Sequence, residues 1–211
     1  NNDFGKGGRD NFTKEMNARN IKIVADISTE SGQADFSADV VKLKAANPDA
    51  VFVYVNEEES ARFLREAKKQ GLKMPLIGET TLLGQKVIDL AGDAANGVKG
   101  HVGLTVDAPI PAVKDFAERF KKRFNYVCDH NGIKGYTGIY FIKTVTEKTG
   151  KFDSKAFADT AHGITVSPKD VPNILMEATW DKNGDIDRES FLGEVVDGKQ
   201  KIVEVLPKLG K

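Results

Sequence analysis

The sequence has few of the features on which several classes of protein depend. Cys128 is its single cysteine, so the chain can form no internal disulfide. Lysine plus arginine and aspartate plus glutamate number 31 each, and a net charge of zero gives no general attraction to nucleic acid or to anionic membranes. No apolar run approaches the roughly 20 residues that cross a bilayer. We therefore predict neither a disulfide scaffold nor a nucleic-acid partner.

Motifs that carry catalysis or bind metals are also missing. The histidines lack the spacing of a zinc site, and no Gly-x-Ser-x-Gly nucleophile elbow occurs. Residues 5–8, Gly-Lys-Gly-Gly, match neither the Walker pattern nor the dinucleotide pattern. Residues 181–187 alternate oxygen-bearing side chains, but their glycine is misplaced for a calcium loop, and we interpret them as a hairpin turn. The sequence predicts a binding protein rather than an enzyme, with no catalytic residue, metal or cofactor.

What the first half of the sequence does contain is a regular alternation of helices and strands. The periodicity predicts helices at 5–19, 35–46, 57–70 and 83–91, and strands at 21–27, 50–55, 74–78 and 98–105. Residues 50–55 are continuously apolar or aromatic, which is typical of a strand covered on both faces. Helices that separate buried strands at this spacing indicate βαβ units, and hence an α/β fold with a parallel sheet.

The first predicted helix has no strand before it. In a parallel α/β fold each helix follows a strand, yet only Asn1-Asn2-Asp3-Phe4 precede this helix. We expect these four residues to be the loop after a strand that lies outside this sequence, and the chain to be part of a longer one. A domain that opens with a helix is the alternative.

The second half of the sequence has a different pattern. Helices are predicted from Pro111 and at 133–149, followed by strands at 174–180, 190–196 and 201–206. Asn183-Gly184 and Asp197-Gly198 stand where type I′ hairpin turns would place them. This order predicts a chain that leaves the first sheet, adds helices elsewhere and returns.

Polar and aromatic residues follow the predicted strands at the places where an open parallel sheet binds ligands, beyond the carboxyl ends of its strands. These residues are Phe4, Asn56, Glu57, Glu79 and Thr80. We expect them to converge on one rim, where nearby helix N-termini would also favour a bound carboxylate. A zwitterionic or amide-bearing small molecule would suit this set. The alternative is a group of ordinary strand-to-helix loops.

Several segments, in order along nearly the whole chain, resemble the type I periplasmic binding proteins of the leucine/isoleucine/valine-binding family, the substrate-binding proteins of branched-chain amino acid ABC transporters. They are residues 2–7, 49–53, 63–71, 77–78, 90–98, 135–136 and 180–185. The resemblance implies two Rossmann-like lobes joined by three crossovers, with the ligand closed between them. Residues 1–104 would then form most of lobe II without its first strand, 105–187 a segment of lobe I, and 188–211 a return to lobe II.

The resemblance also implies a function. The full-length protein would be periplasmic, or lipid-anchored and extracellular, and would deliver an amino acid or similar small metabolite to an ABC permease in the membrane. A ligand-sensing module of a receptor or regulator with the same fold is the main alternative, and an enzyme of flavodoxin-like or Rossmann type is another. Four residues of the second long helix should pack on the lobe that is absent, and so expose apolar surface: Tyr136, Ile139, Tyr140 and Ile142.

Site residues carry over from the family position by position. Phe4 occupies the place of a ligand-contacting aromatic residue in the loop after the first strand. Glu57 stands where the family has a second aromatic residue, and so departs from the amino-acid-binding pattern. The family's acidic residue for a ligand amino group aligns with Thr80, and Glu79 is one residue earlier.

Overall fold

The structure, a computed structural model, describes residues 1–210. The helices are α1 (Asp3–Ala18), α2 (Ser37–Ala46), α3 (Glu57–Lys69), α4 (Gln85–Ala91), a 3-10 helix (Gly92–Ala95), α5 (Pro111–Phe124), α6 (His130–Thr149) and α7 (Ser154–Ala161). The strands are β1 (Val51–Phe52), β2 (Leu76–Gly78), β3 (Lys99–Val102), β4 (Thr165–Val166), β5 (Ala178–Trp180), β6 (Ile186–Arg188), β7 (Ser190–Val196) and β8 (Lys199–Leu206). The four helices predicted in the first half all begin and end within two residues of their predicted bounds.

The strands form two sheets. The larger has five strands in the order β1-β2-β3-β7-β8, and β1, β2 and β3 are parallel neighbours. Phe52 pairs with Ile77 of β2, which in turn pairs with Lys99 of β3. The prediction of an α/β fold with a parallel sheet is therefore confirmed. The smaller sheet, β4-β5-β6, is antiparallel.

The helix α3 shows how local sequence sets an element boundary. Gly71 follows the helix with a φ of +69°, a conformation that glycine adopts without steric cost. The N–H of Gly71 donates to the carbonyl of Lys68, and the N–H of Leu72 donates to that of Ala67. This pair of hydrogen bonds is the Schellman motif, which ends a helix at a left-handed glycine, and it confirms the predicted end of this helix.

The strand predicted at 21–27 is wrong as a hydrogen-bonded element. Residues 21–30 belong to no helix or strand, and residues 22–28 form no backbone–backbone hydrogen bond with any residue in the range 1–210. Their burial nevertheless alternates, with Ile23, Ala25 and Ile27 partly buried and Val24 and Asp26 exposed. Burial therefore alternates with the period of two that a strand requires. A strand also needs backbone hydrogen bonds to a neighbouring strand, and these are missing here.

The two predicted hairpin turns have different outcomes. Asp197 and Gly198, between β7 and β8, both have positive φ, at 52° and 71°, which is the type I′ geometry predicted there. Between β5 and β6 the prediction is wrong, because Asn183 does not have positive φ. There the Asp181 carboxylate accepts hydrogen bonds from the N–H groups of Asn183 and Asp185, and it organises a longer connection. The short elements α7, β4 and β6 and the 3-10 helix were not predicted from the sequence.

The chain divides into two compact units. Unit 1 comprises Asn1–His101 with Gly193–Lys201, and unit 2 comprises Val102–Leu192 with Ile202–Lys211. The fully buried large side chains of unit 1 are Val40, Leu64, Leu82, Leu83, Val87 and Ile88. Those of unit 2 are Val102, Val113, Ile133, Val145, Leu175 and Phe191. Each unit therefore has an apolar core of its own.

The helix α6 of unit 2 carries the apolar residues predicted to be uncovered. Ile139 and Ile142 are 66% and 51% exposed, as predicted. Tyr136 is partly buried and packs on Phe116, with ring centroids 4.6 Å apart, and Tyr140 is also partly buried. Two of the four residues predicted to be uncovered are therefore partly covered within unit 2. Among residues 1–210, no helix has both the length and the apolarity needed to cross a membrane.

Candidate functional site

The carboxyl ends of β1 and β2 lie at one edge of unit 1. The parallel register pairs Val51 with Leu76 and Phe52 with Ile77, so both chain segments leave the sheet in the same direction. Asn56 and Glu57 then begin α3 after β1, and Glu79 and Thr80 follow β2 directly. The register thus brings these two predicted pairs to the same edge, as the sequence analysis expected. We call this edge, together with Phe4, the strand-end rim.

Phe4 reaches the rim from a helix rather than from a loop. The Asn2 side chain accepts a hydrogen bond of 2.8 Å from the N–H of Gly5, which is an N-cap interaction that starts α1 at Asp3. Phe4 therefore lies in the first turn of α1, and its predicted loop placement is wrong. Phe4 is 41% exposed, and its ring stacks on Tyr54, with centroids 4.3 Å apart and an angle of 21° between the planes.

Tyr54 is a rim residue that the sequence analysis did not select. A Cβ added at Gly8 of α1 would overlap its ring, so the absence of a side chain at Gly8 makes room for Tyr54. Burial and, secondarily, the negative charge of Glu79 raise the pKa of the Tyr54 phenol. The phenol is therefore neutral at physiological pH and can donate a hydrogen bond. Its signal in the sequence is an aromatic residue with a polar tip at the end of an apolar run.

Glu79 and Thr80 belong to the turn after β2. One Glu79 carboxylate oxygen accepts a hydrogen bond of 3.0 Å from the N–H of Thr81, and the Glu79 carbonyl accepts one from Leu82. Both Glu79 and Thr80 are partly buried. The charge of Glu79 also contributes to the raised pKa of the Tyr54 phenol. The rim therefore combines an anion with an aromatic surface.

Glu57 is paired with a cation that lies 29 positions along the chain. Its carboxylate is 3.4 Å from the ammonium group of Lys86 in α4, and the carboxylate of Glu58 is 3.8 Å from the same group. Lys86 was also missed, because no local pattern relates the two positions. Asn56 is exposed and makes no side-chain cap of α3. The first turn of α3 thus presents an amide and a charge pair.

A cavity of about 630 Å³ opens beside the rim in unit 1. Phe4 and Asn56 are among the residues that line it, but Glu57, Glu79 and Thr80 are not. The cavity and the rim are therefore two features that share Phe4, Tyr54 and Asn56. Within residues 1–210 no group of three or more histidine, cysteine, aspartate or glutamate side chains is placed to hold a metal ion.

Comparison with protein families gives a match over almost the whole chain. Residues 1–200 match the model of a family described as periplasmic binding protein. The Leu/Ile/Val-binding protein homolog 3 of Brucella melitensis is 26% identical over 189 residues, which are 89% of this chain and 50% of that protein. A leucine-, isoleucine-, valine-, threonine- and alanine-binding protein of Pseudomonas aeruginosa is 26% identical over 165 residues, which are 77% of this chain and 43% of that protein.

Solved structures share the fold. A leucine-binding protein, LivK, of Thermotoga maritima superposes with a TM-score of 0.81 at 21% identity, over 97% of this chain and 57% of that one. A solute-binding protein of an ABC transporter from Rhodopseudomonas palustris HaA2, in complex with p-hydroxybenzoic acid, has a TM-score of 0.83 at 21% identity, over 96% of this chain and 57% of that one.

Fold and family agree on the class of protein. The parallel sheet of unit 1, with its strand ends gathered at one rim, is the α/β architecture of the type I periplasmic binding proteins. The chain belongs to the periplasmic binding protein family, and it is similar to Leu/Ile/Val-binding proteins of other bacteria. It spans about half the length of the curated relatives it matches.

Proposed function

We propose that this chain is part of the solute-binding component of an ABC transporter, and that its strand-end rim contacts an amino acid or similar small metabolite. One observation supports the proposal above the others: the rings of Phe4 and Tyr54 stack at the strand ends of unit 1, at the same edge of the sheet as Glu79, whose charge helps to raise the pKa of the Tyr54 phenol. An aromatic surface next to an anion suits a ligand that has both an apolar body and a cationic or hydrogen-bond-donating group.

Each rim residue has a role in this proposal. Phe4 covers the apolar part of the ligand, because this residue is 41% exposed while one face of its ring packs on Tyr54. Glu79 accepts from a ligand amino or hydroxyl group with the oxygen that does not face Thr81, and Thr80 offers a hydroxyl. Asn56 presents its amide from the exposed start of α3. Glu57, whose carboxylate is paired with the ammonium group of Lys86, places a charge pair at the edge of the proposed site.

The proposal extends to the organisation of the whole protein. Residues 1–104 and 188–211 would belong to lobe II, and residues 105–187 to lobe I, with the protein periplasmic or lipid-anchored and extracellular. The ligand would stabilise a closed arrangement of the lobes through contacts that both lobes make only when they meet. An ABC permease would recognise that closed form. No step requires a catalytic group, so we propose binding without turnover.

Calorimetric titration of the longer polypeptide that contains this chain tests the proposal. Leucine and 4-hydroxybenzoate serve as the two probes, one aliphatic with an ammonium group and one aromatic without it. We expect one of them to bind with a dissociation constant on the order of micromolar. Phe4→Ala should weaken binding about tenfold, since an aromatic contact contributes on the order of 1 kcal/mol beyond its buried area.

A matched control separates the rim from general effects of losing an aromatic side chain. Phe152 is 97% exposed and lies outside unit 1, so Phe152→Ala should leave the affinity unchanged. Equal loss in the two variants would place the ligand elsewhere. Chemical conversion of either probe, abolished by Glu79→Gln, would replace the binding function with an enzymatic one.

A further inference from the structure

Three asparagines of the chain stand directly before a glycine: Asn96, Asn131 and Asn183. In such a pair the backbone nitrogen of the glycine can attack the side-chain carbonyl carbon of the asparagine and close a five-membered succinimide ring. A glycine favours this reaction because it has no side chain to shield the nitrogen. All three asparagines are exposed, so access to water does not distinguish them. Their hydrogen bonds do.

Asn96 is held at both of the groups that would have to react. Its side-chain oxygen accepts a hydrogen bond of 3.0 Å from the N–H of Gly198. The N–H of Gly97 donates to the carbonyl of Val195 at 2.8 Å. Ring closure at Asn96 must therefore wait until both hydrogen bonds open, and it is slowed in proportion to how rarely that opening occurs.

Asn131 is held by the start of α6. The N–H of Gly132 donates to the carboxylate of Asp129 at 3.0 Å, which is the N-cap hydrogen bond of this helix. A Cβ added at Gly132 would overlap the sulfur of Cys128, so the backbone is also tightly packed here. Ring closure at Asn131 would require the first turn of α6 to unwind.

Asn183 lies in the connection between β5 and β6, where the constraints are weaker. Its side-chain amide makes no hydrogen bond with any residue in the range 1–210. The N–H of Gly184 donates to the carbonyl of Asp181 at 3.1 Å, and this bond closes a short turn rather than a helix or a pair of strands. Exposed turns open more readily than regular elements. Of the three pairs, Asn183 and Gly184 are therefore the best placed to react.

A possible base stands beside this pair. A Cβ added at Gly184 would lie 3.2 Å from Nε2 of His162, so the imidazole is next to the glycine backbone. The N–H of Gly163 donates to the carbonyl of Asp181 at 3.1 Å, and this hydrogen bond ties the end of α7, where His162 is located, to the turn. An imidazole nitrogen can accept a proton, and a positioned base accelerates a reaction in which a nitrogen must lose one.

We propose that Asn183 is a site of spontaneous deamidation, with the nitrogen of Gly184 as the nucleophile and His162 as the base. The Gly184 nitrogen gives its proton to His162 and bonds to Cγ of Asn183. The bond from Cγ to Nδ2 then breaks, and the nitrogen leaves as ammonia with the proton that His162 returns. Water opens the succinimide at either carbonyl, which leaves aspartate or isoaspartate. No reactant other than water is needed.

The product alters a turn that one carboxylate organises. The Asp181 carboxylate accepts hydrogen bonds of 2.8 and 2.9 Å from the N–H groups of Asn183 and Asp185. Either product adds a second negative charge to this turn, and isoaspartate also adds one methylene group to the backbone. Both changes oppose these hydrogen bonds. Deamidation should therefore loosen the connection between β5 and β6 in unit 2.

Peptide mapping by mass spectrometry, during incubation of the purified protein at neutral pH, tests the proposal. We expect Asn183 to lose its amide at least about tenfold faster than Asn96 or Asn131. In the urea-unfolded protein the three rates should approach one another, because all three pairs have the same local sequence. Equal rates in the folded protein, or a faster reaction at Asn96 or Asn131, would overturn the proposal.

Variants test the parts of the mechanism separately. Asn183→Gln lengthens the side chain by one methylene group and so disfavours ring closure, and it should abolish the reaction at this position. Asn131→Gln is the matched control and should leave the rate at Asn183 unchanged. His162→Gln should slow the reaction at Asn183 by about tenfold or more, while the rate at Asn96 stays the same. An unchanged rate at Asn183 would overturn the role of His162, and faster reaction at Asn96 would reveal an unfolded variant.

Thermal unfolding of aged protein gives a second readout. Conversion of Asn183 should lower the midpoint by about 2–4 °C, and protein with Asn183→Gln, aged in the same way, should keep its midpoint. An equal decrease in both would show that another change causes it and would contradict the predicted effect on the turn. None of these measurements involves a ligand, so this proposal and the proposed function can fail independently.

Discussion

Phe4 and Tyr54 are 50 positions apart in the sequence, yet their rings stack with centroids 4.3 Å apart. The contact joins the first turn of α1 to the chain that leaves β1, and it places two aromatic surfaces at the strand-end rim. Gly8, one turn further along α1, faces the same Tyr54 ring. A glycine in the interior of a helix is unfavourable by itself, so its presence here is explained by the room that the ring needs.

Alanine substitution at two glycines of α1 should have opposite effects. A Cβ at Gly8 would overlap the Tyr54 ring, whereas a Cβ at Gly7 would meet nothing within 4 Å. We expect Gly8→Ala to lower the free energy of unfolding by about 1–3 kcal/mol through overpacking, and Gly7→Ala to raise it by about 0.5–1 kcal/mol through helix propensity. Urea denaturation followed by circular dichroism measures both, and equal effects would contradict the contact.

Removing the charge of Glu79 should change the ionisation of Tyr54. Burial raises the pKa of this phenol, and the Glu79 carboxylate raises it further. In Glu79→Gln the pKa of Tyr54 should fall towards the ordinary value, but it should stay above it because burial remains. Difference titration of tyrosinate absorbance against Tyr54→Phe isolates this residue. An unchanged pKa in Glu79→Gln would show that the carboxylate does not lie beside the ring.

Glu59 should make the stability of unit 1 depend on acid pH. Burial alone would raise the pKa of its carboxyl group, but hydrogen bonds from the N–H groups of Gly32 and Glu59 itself and from Asn56, with the charge of Arg62, lower it overall. The stabilisation is therefore present above the ordinary pKa and is lost as the pH falls through the lowered value.

Glu59→Gln is the variant that tests this dependence. It keeps the shape of the side chain but removes the charge that accepts from Gly32 at 2.6 Å. We expect unfolding at pH 7 to become easier by about 1–2 kcal/mol, and the difference from the unchanged protein to shrink as the pH falls through the lowered pKa of Glu59. Glu58, which is exposed, supplies the control in Glu58→Gln. A difference that persists unchanged at low pH would rule out the charge as its cause.

The buried thiol of Cys128 should reduce stability at alkaline pH. Burial, with a smaller contribution from the Asp129 carboxylate, raises the pKa of Cys128 from 9.0 to about 11. Between these two values the unfolded chain has released the thiol proton and the folded chain has kept it, so the free energy of unfolding falls as the pH rises. Below pH 9 both states hold the proton and the thiol adds no pH dependence.

Two measurements check the behaviour of Cys128. The difference in unfolding free energy between the unchanged protein and Cys128→Ala should shift in favour of the variant from pH 9 to 11, while other titrating groups cancel. At pH 8 the native thiol, which is 3% exposed, should react with a disulfide reagent much more slowly than the urea-unfolded thiol. Equal rates in the two states would show that Cys128 is accessible.

Local sequence predicted those parts of the fold that local chemistry decides. The left-handed glycine after α3, Gly71, and the Asp197-Gly198 turn are set by their own backbone preferences. The strand predicted at 21–27 does not form, because a strand needs backbone hydrogen bonds to a neighbouring strand and residues 22–28 make none within the part of the chain described. The alternating burial of these residues was predictable from their sequence, but the lack of backbone hydrogen bonds to a neighbouring strand was not.

For the candidate site, too, the positions of some residues were predictable from the sequence and their contact partners were not. The strand ends at Glu57 and Glu79 followed from the order of helices and strands, since parallel register alone gathers them. The partners of the rim residues did not follow, because Lys86 approaches Glu57 from 29 positions away and Tyr54 meets Phe4 from 50. Such contacts depend on how two elements pack against each other. The periodicity of one sequence does not show which residue of one element will meet which residue of another.

The uncovered face of α6 should cause the 211-residue chain to associate with itself. Ile139 and Ile142 are three positions apart, so they lie side by side on the helix, and they are 66% and 51% exposed. Adjacent exposed apolar residues favour association in water. In sedimentation velocity experiments at increasing concentration, the double variant Ile139→Lys with Ile142→Lys should remain monomeric where the unchanged chain does not.

Phe152→Lys, which alters an exposed apolar residue outside α6, should not have this effect. A monomeric unchanged chain at all concentrations would mean that this face needs no partner, and it would remove the main physical argument for placing residues 105–187 against another lobe.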